Sequence, residues 1–367
     1  QLLRARLIDM LVGDWDRHAD QWRWASYSDG QLTRWEPIPR DRDFALCRID
    51  GVLPWLAGVY RPSYVGFGPE PPDPLAMHWS SQRLDRGLLN GLERADFVAA
   101  ARDLQSAFSD EVIDRAVDVL PASYRRAVGE ELRRDLRLRR DSLVEVAEGF
   151  YELLAQWVDV HGTEEVDSVA LTPAEDGVRV TMWAPREGDF VRYDRVFHPS
   201  ETKDIRIYLW EGDDRVVVDG PVVVPVRFVT GEGDDRVVDR SHGDNLRVYD
   251  DQGDNDLRLG PEAFVTGSEY LRQDSLRTAY LSWQVRDWGS AWVPRPEVWY
   301  HSDIGPYVGF GLARYGYGFG QEPHESKLSM SVLNGLDPGQ WILNLEADRA
   351  LGDRGWRAVG KAEARTD

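Results

Sequence analysis

The sequence contains a single cysteine, Cys47, among 367 residues. One cysteine excludes an intrachain disulfide and a thiolate metal cluster, and such a residue is most often a small buried apolar group. This scarcity suits a cytosolic protein and equally a bacterial envelope protein that avoids disulfides.

Long hydrophobic runs are also missing, because no stretch of 18 consecutive apolar residues occurs. A transmembrane helix of ordinary length is therefore not predicted. The sequence opens on Gln1 without a signal peptide, and residues 2–11 already have the pattern of a helix interior. We therefore expect sequence upstream of Gln1 to be missing.

Positive charge is scarce, since 44 Lys and Arg oppose 64 Asp and Glu, for a net charge of -20. A nucleic-acid partner is not expected, because such a protein needs a basic face. The same balance disfavours anionic lipid headgroups. A chain of this length with 42% apolar residues is expected to fold as two or three domains.

Two short segments near the N-terminus concentrate charge beside large aromatic rings. Residues 13–18 read Gly-Asp-Trp-Asp-Arg-His and residues 39–45 read Pro-Arg-Asp-Arg-Asp-Phe-Ala, with Trp22, Trp24 and Trp35 nearby. Charges this dense are costly to order unless they pair or bind a cation. The pattern favours a nucleotide-and-metal site.

Metal-assisted phosphoryl transfer assigns roles to the acidic residues of these segments. Asp16 is the candidate that orients an attacking hydroxyl, and Asp43 is the candidate Mg²⁺ ligand on the phosphates. Gln21 could supply a neutral oxygen to the metal, and Asp41 competes with Asp43 for the metal-binding role.

The basic residues have matching candidate roles. Arg17 could neutralise a phosphate, and His18 could orient Asp16 or the substrate. Arg40 and Arg42 are the candidate contacts to a bound nucleotide. The basic run 133–140 could also bind phosphate, although a solvated helix face that pairs with nearby acids is the favoured interpretation.

The segment 8–18, an apolar helix followed by Gly-Asp-Trp-Asp-Arg-His, resembles one shared by secretory-pathway (Golgi casein), phosphatidylinositol and HipA-type kinases. Asp43-Phe44-Ala45 resembles their metal-binding Asp-Phe-Gly. The resemblance implies a helical, kinase-C-lobe-like domain over residues 1–162, with Asp16 as the catalytic aspartate and Asp43 and Gln21 on Mg²⁺.

The sequence departs from that kinase pattern. Gln21 replaces the usual Asn or acidic residue, Ala45 replaces Gly, and the N-terminal lobe with its phosphate-covering loop is absent from this sequence. Poor nucleotide affinity and a degenerate site are therefore expectations too. The alternative is an Arg-Asp-His network that only pins a turn onto the helical domain.

The composition changes near His161, and residues 163–275 are expected to be all-β. Glu-Gly-Asp-Asp-Arg-Val-Val occurs at 211–217 and again at 232–238, 21 residues later. Strand, Gly-Asp turn and strand at near-constant spacing predict a β-solenoid or a stacked β-sandwich. Residues 231–235 resemble half of a nonapeptide calcium repeat, which implies weak Ca²⁺ sites at the Gly-Asp turns; tight-turn chemistry explains the same residues.

Residues 276–367 contain six strand-length segments with polar turns between them, near 280–285, 293–300, 306–319, 326–333, 340–347 and 356–364. Val308, Phe310 and Leu312 point to one side of their strand, whereas the small residues between them point to the other. Bulky-out, small-or-polar-in strands with aromatic ends are typical of membrane β-barrels, and half-buried strands of a soluble sheet are the alternative.

The segments from Arg286 through Phe319 resemble the first strands of BamA-type bacterial surface-antigen barrels. The resemblance implies contact with outer-membrane lipid through the C-terminal strands and an N-terminal part that is periplasmic or on the surface. Six strands do not close such a barrel, so a missing C-terminal continuation is expected.

The sequence thus predicts an α+β multidomain fragment of a bacterial outer-membrane protein. Its parts are a helical kinase-like region, an all-β region and an incomplete antiparallel barrel. The expected activity is Mg²⁺-dependent phosphotransfer. The departures from the kinase pattern predict that the module is degenerate. The alternative is a non-enzymatic envelope protein whose β region binds Ca²⁺ or a partner.

Overall fold

The computed structural model describes residues 1–28, 33–49, 51, 57–58, 61–184, 190–241, 243, 245–250, 252–267, 287–301, 305–335, 340–352 and 355–366. Within them the fold is mixed α/β, with seven α-helices and several sheets. The chain divides into two compact units: the first is Gln1–Gly58 with Pro62–Glu269, and the second is mainly Tyr270–Asp367.

The first unit begins with a helical region that carries one small hairpin. Its helices are α1 (Leu2–Val12), α2 (Pro74–His78), α3 (Gln82–Leu88), α4 (Arg94–Ala107), α5 (Asp110–Asp118), α6 (Ala122–Asp141) and α7 (Leu143–Ala155). The hairpin pairs β1 (Trp22–Ser28) with β2 (Thr33–Pro39) in antiparallel register. The apolar faces of α1, α4 and α7 supply most of the helical core, including Leu7, Phe97 and Phe150.

Local sequence signals set the ends of two of these helices. Gly13 follows α1 with φ 72°, a left-handed conformation that glycine adopts at little cost and that ends the helix. Ser109, followed by two acidic residues, predicts a helix N-cap, and its hydroxyl accepts a hydrogen bond from the backbone N–H of Val112 at the start of α5. Apolar residues at helical spacing from Leu143 predict a helix that continues to Trp157, but α7 ends at Ala155 and Trp157 already begins a strand.

The rest of the first unit is built from short strands. They are β3 (Trp157–His161), β4 (Ser168–Ala174), β5 (Gly177–Ala184), β6 (Phe190–Phe197), β7 (Asp204–Tyr208), β8 (Arg215–Val218), β9 (Val226–Val229), β10 (Arg236–Asp239), β11 (Leu246–Tyr249), β12 (Asp256–Arg258) and β13 (Phe264–Thr266). One sheet has the order β12-β10-β8-β4-β5-β6 and the other β13-β11-β9-β7-β3.

From β7 onward, successive strands alternate between these two sheets. From β9 onward, each strand pairs in parallel with the strand two places before it. Ile205 pairs with Val226, and Val226 pairs with Leu246, so neighbouring coils are offset by 21 and then 20 residues. This offset is the interval of the Glu-Gly-Asp-Asp repeat. Buried residues of both sheets, among them Val216 and Phe228, form one core. We call residues 157–266 the coil region.

The second unit contains one antiparallel sheet with the order β14-β15-β16-β17-β18. Its strands are β14 (Ser290–His301), β15 (Gly305–Gly316), β16 (Ser326–Gly335), β17 (Trp341–Ala350) and β18 (Arg357–Arg365). Each strand pairs with its sequence neighbour over most of its length. We call this the C-terminal sheet.

The structure confirms a mixed fold with an antiparallel C-terminal sheet, and the five described strands are not joined into a closed barrel. The three-domain division stays a prediction; the helical and coil regions share one compact unit here. The predicted strand 280–285, the predicted boundary at 275, Arg286, residues 302–304 and Asp244 lie outside the described residues.

Candidate functional site

The buried Arg17 side chain joins the two charged N-terminal segments. Because α1 ends at Gly13, the chain turns and carries Arg17 beneath the hairpin. There its Nη1 donates to the backbone carbonyls of Arg40 and Asp41, each at 2.6 Å. The hairpin register fixes the second segment in place, since Trp22 pairs with Pro39 and the N–H of Arg40 donates to the carbonyl of Gln21 at 2.8 Å.

Arg17 also belongs to a buried ion network centred on Asp9. The Asp9 carboxylate is 3.1 Å from Arg6, 3.2 Å from Arg17 and 3.0 Å from Arg42. Arg6 in turn donates to Asp85 of α3 at 2.8 Å. Burial raises the pKa of Asp9, and the three neighbouring guanidinium groups oppose that rise. The network ties α1, α3 and the second charged segment together.

Asp14 is the most perturbed acid next to these turns. It is buried, and burial raises its pKa to about 6 despite the charge of Arg17. Arg17 Nη1 is 3.6 Å from the Oδ2 atom of Asp14, which has no hydrogen-bond partner among the described residues. A carboxyl group with this pKa changes its protonation state close to neutral pH.

The predicted catalytic residues lie at the edge of this network. Asp16 is half-buried, with Oδ2 3.9 Å from Nε2 of His18. Arg17, the predicted phosphate contact, is fully buried, and its guanidinium is occupied by the network. The two predicted nucleotide contacts differ in exposure: Arg40 is exposed, whereas Arg42 is half-buried and bound to Asp9.

The predicted metal ligands are nearer to solvent. Asp43 and Asp41 are both exposed, Asp41 has φ 45°, and Gln21 is half-buried. Within the described part of the chain, no three His, Cys, Asp or Glu side chains lie close enough together to hold a metal ion. Mg²⁺ binding by Asp43, Gln21 and Asp41 therefore stays a prediction.

Sequence reasoning missed the members of the network that lie on helices. Arg6 and Asp9 are completely buried on the same side of α1 as Leu3, Leu7 and Met10. Their spacing of three residues was the available signal, because charges at i and i+3 on an apolar helix face must pair when that face is buried. Asp85 could not be found in this way, since it is 79 residues from Arg6 in the sequence.

The Gly-Asp turns of the coil region are the predicted weak Ca²⁺ sites. The carboxylate oxygens of Asp213 and Asp234 accept hydrogen bonds from the backbone of the next coil, at 3.0 Å and 2.9 Å. In a second column, one position further along the chain, Asp214 and Asp235 accept hydrogen bonds in the opposite direction, from the backbone N–H groups of the preceding coil. These hydrogen bonds give the aspartates a structural role in the turns, which is the alternative to Ca²⁺ binding.

A second candidate site is one face of the C-terminal sheet. Paired residues lie on the same side of an antiparallel sheet, and residues two apart along a strand share that side. The register therefore collects on one side, which we call the apolar face, these exposed residues: Trp292, Val298, Tyr300, Val308, Phe310, Leu312, Leu328, Met330, Val332, Trp341, Leu343 and Leu345.

Burial in this sheet is inverted relative to a water-soluble protein. On β16, Leu328 and Met330 are 60% and 53% exposed, whereas Ser329 and Ser331 are only 6% and 7% exposed. Single exposed apolar residues are ordinary, but a contiguous apolar patch of this size marks a surface that contacts a membrane or another protein.

The opposite side, which we call the polar face, satisfies its charges internally. Lys327 is 2.6 Å from Glu346, and Asp348 is 2.9 Å from Arg357 and 3.1 Å from His324. Close cross-strand neighbours require small residues there: a Cβ added to Gly311 would lie 2.7 Å from the Ser331 Cβ. Small and paired polar groups therefore fill much of this side, and Tyr307, Leu333 and Ile342 form a buried apolar cluster near one end of it.

Comparison of the chain with family models, with curated proteins and with solved structures gave no match. In the described part of the chain, no helix combines the length and the apolar character needed to cross a membrane.

Proposed function

We propose that the C-terminal sheet is part of a β-barrel in a bacterial outer membrane, with its apolar face against the lipid. The observation that carries this proposal is the inverted burial on β16, where leucine and methionine are exposed and serines are covered. Lipid chains are as apolar as Leu328 and Met330, so the membrane would remove the cost of exposing them to water.

The dimensions of the sheet support the same proposal. Its strands have 9 to 12 residues, and a tilted membrane strand needs roughly 9–11. Aromatic residues lie at both ends of the apolar face: Trp292 at one end, and Tyr300 with Trp341 at the other. Aromatic girdles at these two levels mark the membrane interfaces of such barrels.

Backbone chemistry adds one requirement. Every backbone N–H and C=O in the hydrocarbon layer needs a partner, so the outer edges of β14 and β18 require further strands. We therefore propose the five described strands as one segment of a larger barrel. The first unit would then lie in the periplasm or on the cell surface.

Site-specific labels test the orientation of the sheet. In the full chain with Cys47→Ser, a polarity-sensitive fluorophore is attached to Leu345→Cys or, as the matched control, to Glu346→Cys on the adjacent polar-face position. After reconstitution into phosphatidylcholine vesicles, the Leu345→Cys label should shift to shorter wavelength and be quenched by nitroxide lipids. Equal responses from both labels, or none from Leu345→Cys, would contradict membrane insertion.

A second candidate function is the predicted phosphotransfer module of the first unit. The observation that favours it is the contact of Arg17 with Arg40 and Asp41, because it holds the two kinase-like segments against each other. In this proposal Asp16 would orient the acceptor hydroxyl, and exposed Asp43 would face a Mg²⁺–nucleotide complex. Mg²⁺-dependent nucleotide binding is the required first test.

A further inference from the structure

Two arginines, Arg314 on β15 and Arg349 on β17, lie on the apolar face close to one end of the sheet. Arg314 is opposite Leu328 of β16, and Leu328 is opposite Ala347, which shares its side of β17 with Arg349. Trp292 pairs with Arg314 on the other flank, so a girdle aromatic is level with Arg314, and Arg349 lies two positions further along its strand.

Both arginines are exposed, and among the described residues their charges have no counterion. In the described part of the chain neither guanidinium has an ion-pair or hydrogen-bond partner. They line one open cavity of about 540 Å³, whose other residues include Leu328, Ala347 and Asp348. Asp348 does not neutralise them, because its carboxylate is held by Arg357 and His324.

The two charges are spaced to act on one anion. β15 and β17 are separated by β16, and the two residues are offset by two positions along the strands. Strand spacing and rise per residue place their Cα atoms roughly 12 Å apart. Two extended arginine side chains can close that gap around a single phosphate, which guanidinium groups bind with two hydrogen bonds each.

We propose that Arg314 and Arg349 bind the phosphate of a lipid headgroup at one membrane interface. This inference rests on the proposed membrane function, since it places Arg314 beside Leu328 at the edge of the apolar face and Arg349 beyond Leu328, level with Ser326. It also gives the protein a local affinity that its net charge of -20 does not suggest, because repulsion by distant exposed acids is screened within about 10 Å at ordinary salt.

Lipid selectivity of the full chain in mixed vesicles tests the proposal. Labelled phosphatidylglycerol should associate with the protein surface more strongly than labelled phosphatidylcholine. Arg314→Gln and Arg349→Gln should each lower this preference about 5-fold, the effect of one basic residue near an anionic surface. Arg314→Lys with Arg349→Lys should keep most of it, and Arg295→Gln, which removes an arginine from the polar face, should leave it unchanged.

The outcomes separate this inference from the membrane proposal. Loss of the preference in Arg295→Gln, or its survival in the double glutamine variant, would overturn the headgroup site. Complete loss on adding inorganic phosphate at constant ionic strength would instead assign the arginines to free phosphate. If the Leu345→Cys label inserts but no phosphatidylglycerol preference exists, only this inference fails. If the label does not insert, the membrane proposal fails with it.

Discussion

The backbone N–H of Asp167 donates to a carboxylate oxygen of Asp214 at 2.6 Å, although 47 residues separate them in the sequence. One coil further on, the N–H of Asp214 donates to Asp235 at 2.8 Å, and the N–H of Asp235 donates to the side-chain oxygen of Asn255. Asp167, Asp214 and Asp235 are buried. The coil region therefore stacks acidic side chains in its interior, one for each turn.

This stack should make the coil region less stable as pH rises. Burial raises the pKa of Asp214 to about 8, and the charges of Asp235, Asp167 and Asp213 add to the rise. An unfolded aspartate has a pKa of about 3.9, so between about pH 4 and 8 the folded state holds the extra proton. Stability is therefore full below about pH 4 and declines up to about pH 8.

Asp214→Asn should remove the part of this pH dependence that Asp214 causes, since asparagine keeps the accepting oxygen and carries no charge, as Asn255 does in the last coil. A smaller part should remain, because burial also raises the pKa of Asp235 to about 6. The variant should be more stable than the wild type at pH 8 by several kcal/mol, because the folded-state pKa of Asp214 lies far above that of an unfolded aspartate. Hydrogen exchange of peptides from 204–249, compared at equal pH, measures this difference. Asp213→Asn, in the exposed column, is the matched control. An unchanged pH dependence in Asp214→Asn would refute the mechanism.

Arg17→Gln should destabilise the helical region by about 3–5 kcal/mol, because it leaves the buried Asp9 and Asp14 without their shared cation. Asp16→Asn, one position earlier and half-buried, should change the free energy of unfolding by less than about 1 kcal/mol. Denaturant unfolding of both variants measures this contrast. A large loss in Asp16→Asn would identify Asp16 as a structural residue.

Gly231→Ala should destabilise the coil region by at least about 2 kcal/mol. Gly231 has φ 87°, and an added Cβ would overlap the carbonyl oxygen of Trp210 one coil away. Gly87→Ala is the opposite control, because Gly87 lies within α3 with open space around its Cα, and alanine favours helix by up to about 1 kcal/mol. Thermal unfolding measures both changes, and equal shifts in one direction would contradict the backbone argument.

Asp43→Ala should abolish Mg²⁺-dependent nucleotide binding if the first unit is a phosphotransfer module. The exposed position of Asp43 means that its removal should leave folding intact. Calorimetric titration of ATP with and without Mg²⁺ measures the binding, and Asp20→Ala, another exposed acid nearby, is the control. Absence of nucleotide binding in the wild type would end the kinase proposal.

Local patterns in the sequence were enough to predict several elements. Gly13 after an apolar helical stripe predicts the end of α1, and Ser109 before two acidic residues predicts an N-cap. The alternation of Val178, Val180 and Met182 predicts a strand. The structure confirms all three. Each of these signals depends on only a few neighbouring residues, so it can be read from the sequence without knowledge of the fold. The end of α7 was predicted two residues too late because Trp157 fits an apolar helix stripe and an apolar strand equally well.

The charged residues near the N-terminus could be predicted as a group but not by role. Arg17 was expected at a phosphate, whereas the fold buries it against Asp9 and the carbonyls of the second segment. Asp9 and Asp85 had no signal in the charged segments themselves. Which charge becomes buried depends on the packing of α1 against α3, and that contact joins residues 79 positions apart.

By itself the sequence determined the periods of this protein: the helical stripes, the 21-residue interval and the alternation in the last strands. The stripes and the alternation follow from the geometry of one helix or one strand, and the interval is a repeat that the sequence shows directly. Tertiary structure decided which side of each helix or strand is buried against the rest of the protein and which is exposed. It stacked Asp214 inside the coil region and covered Ser331, and it left Met330 and Arg314 exposed, because burial is set by neighbours distant in sequence.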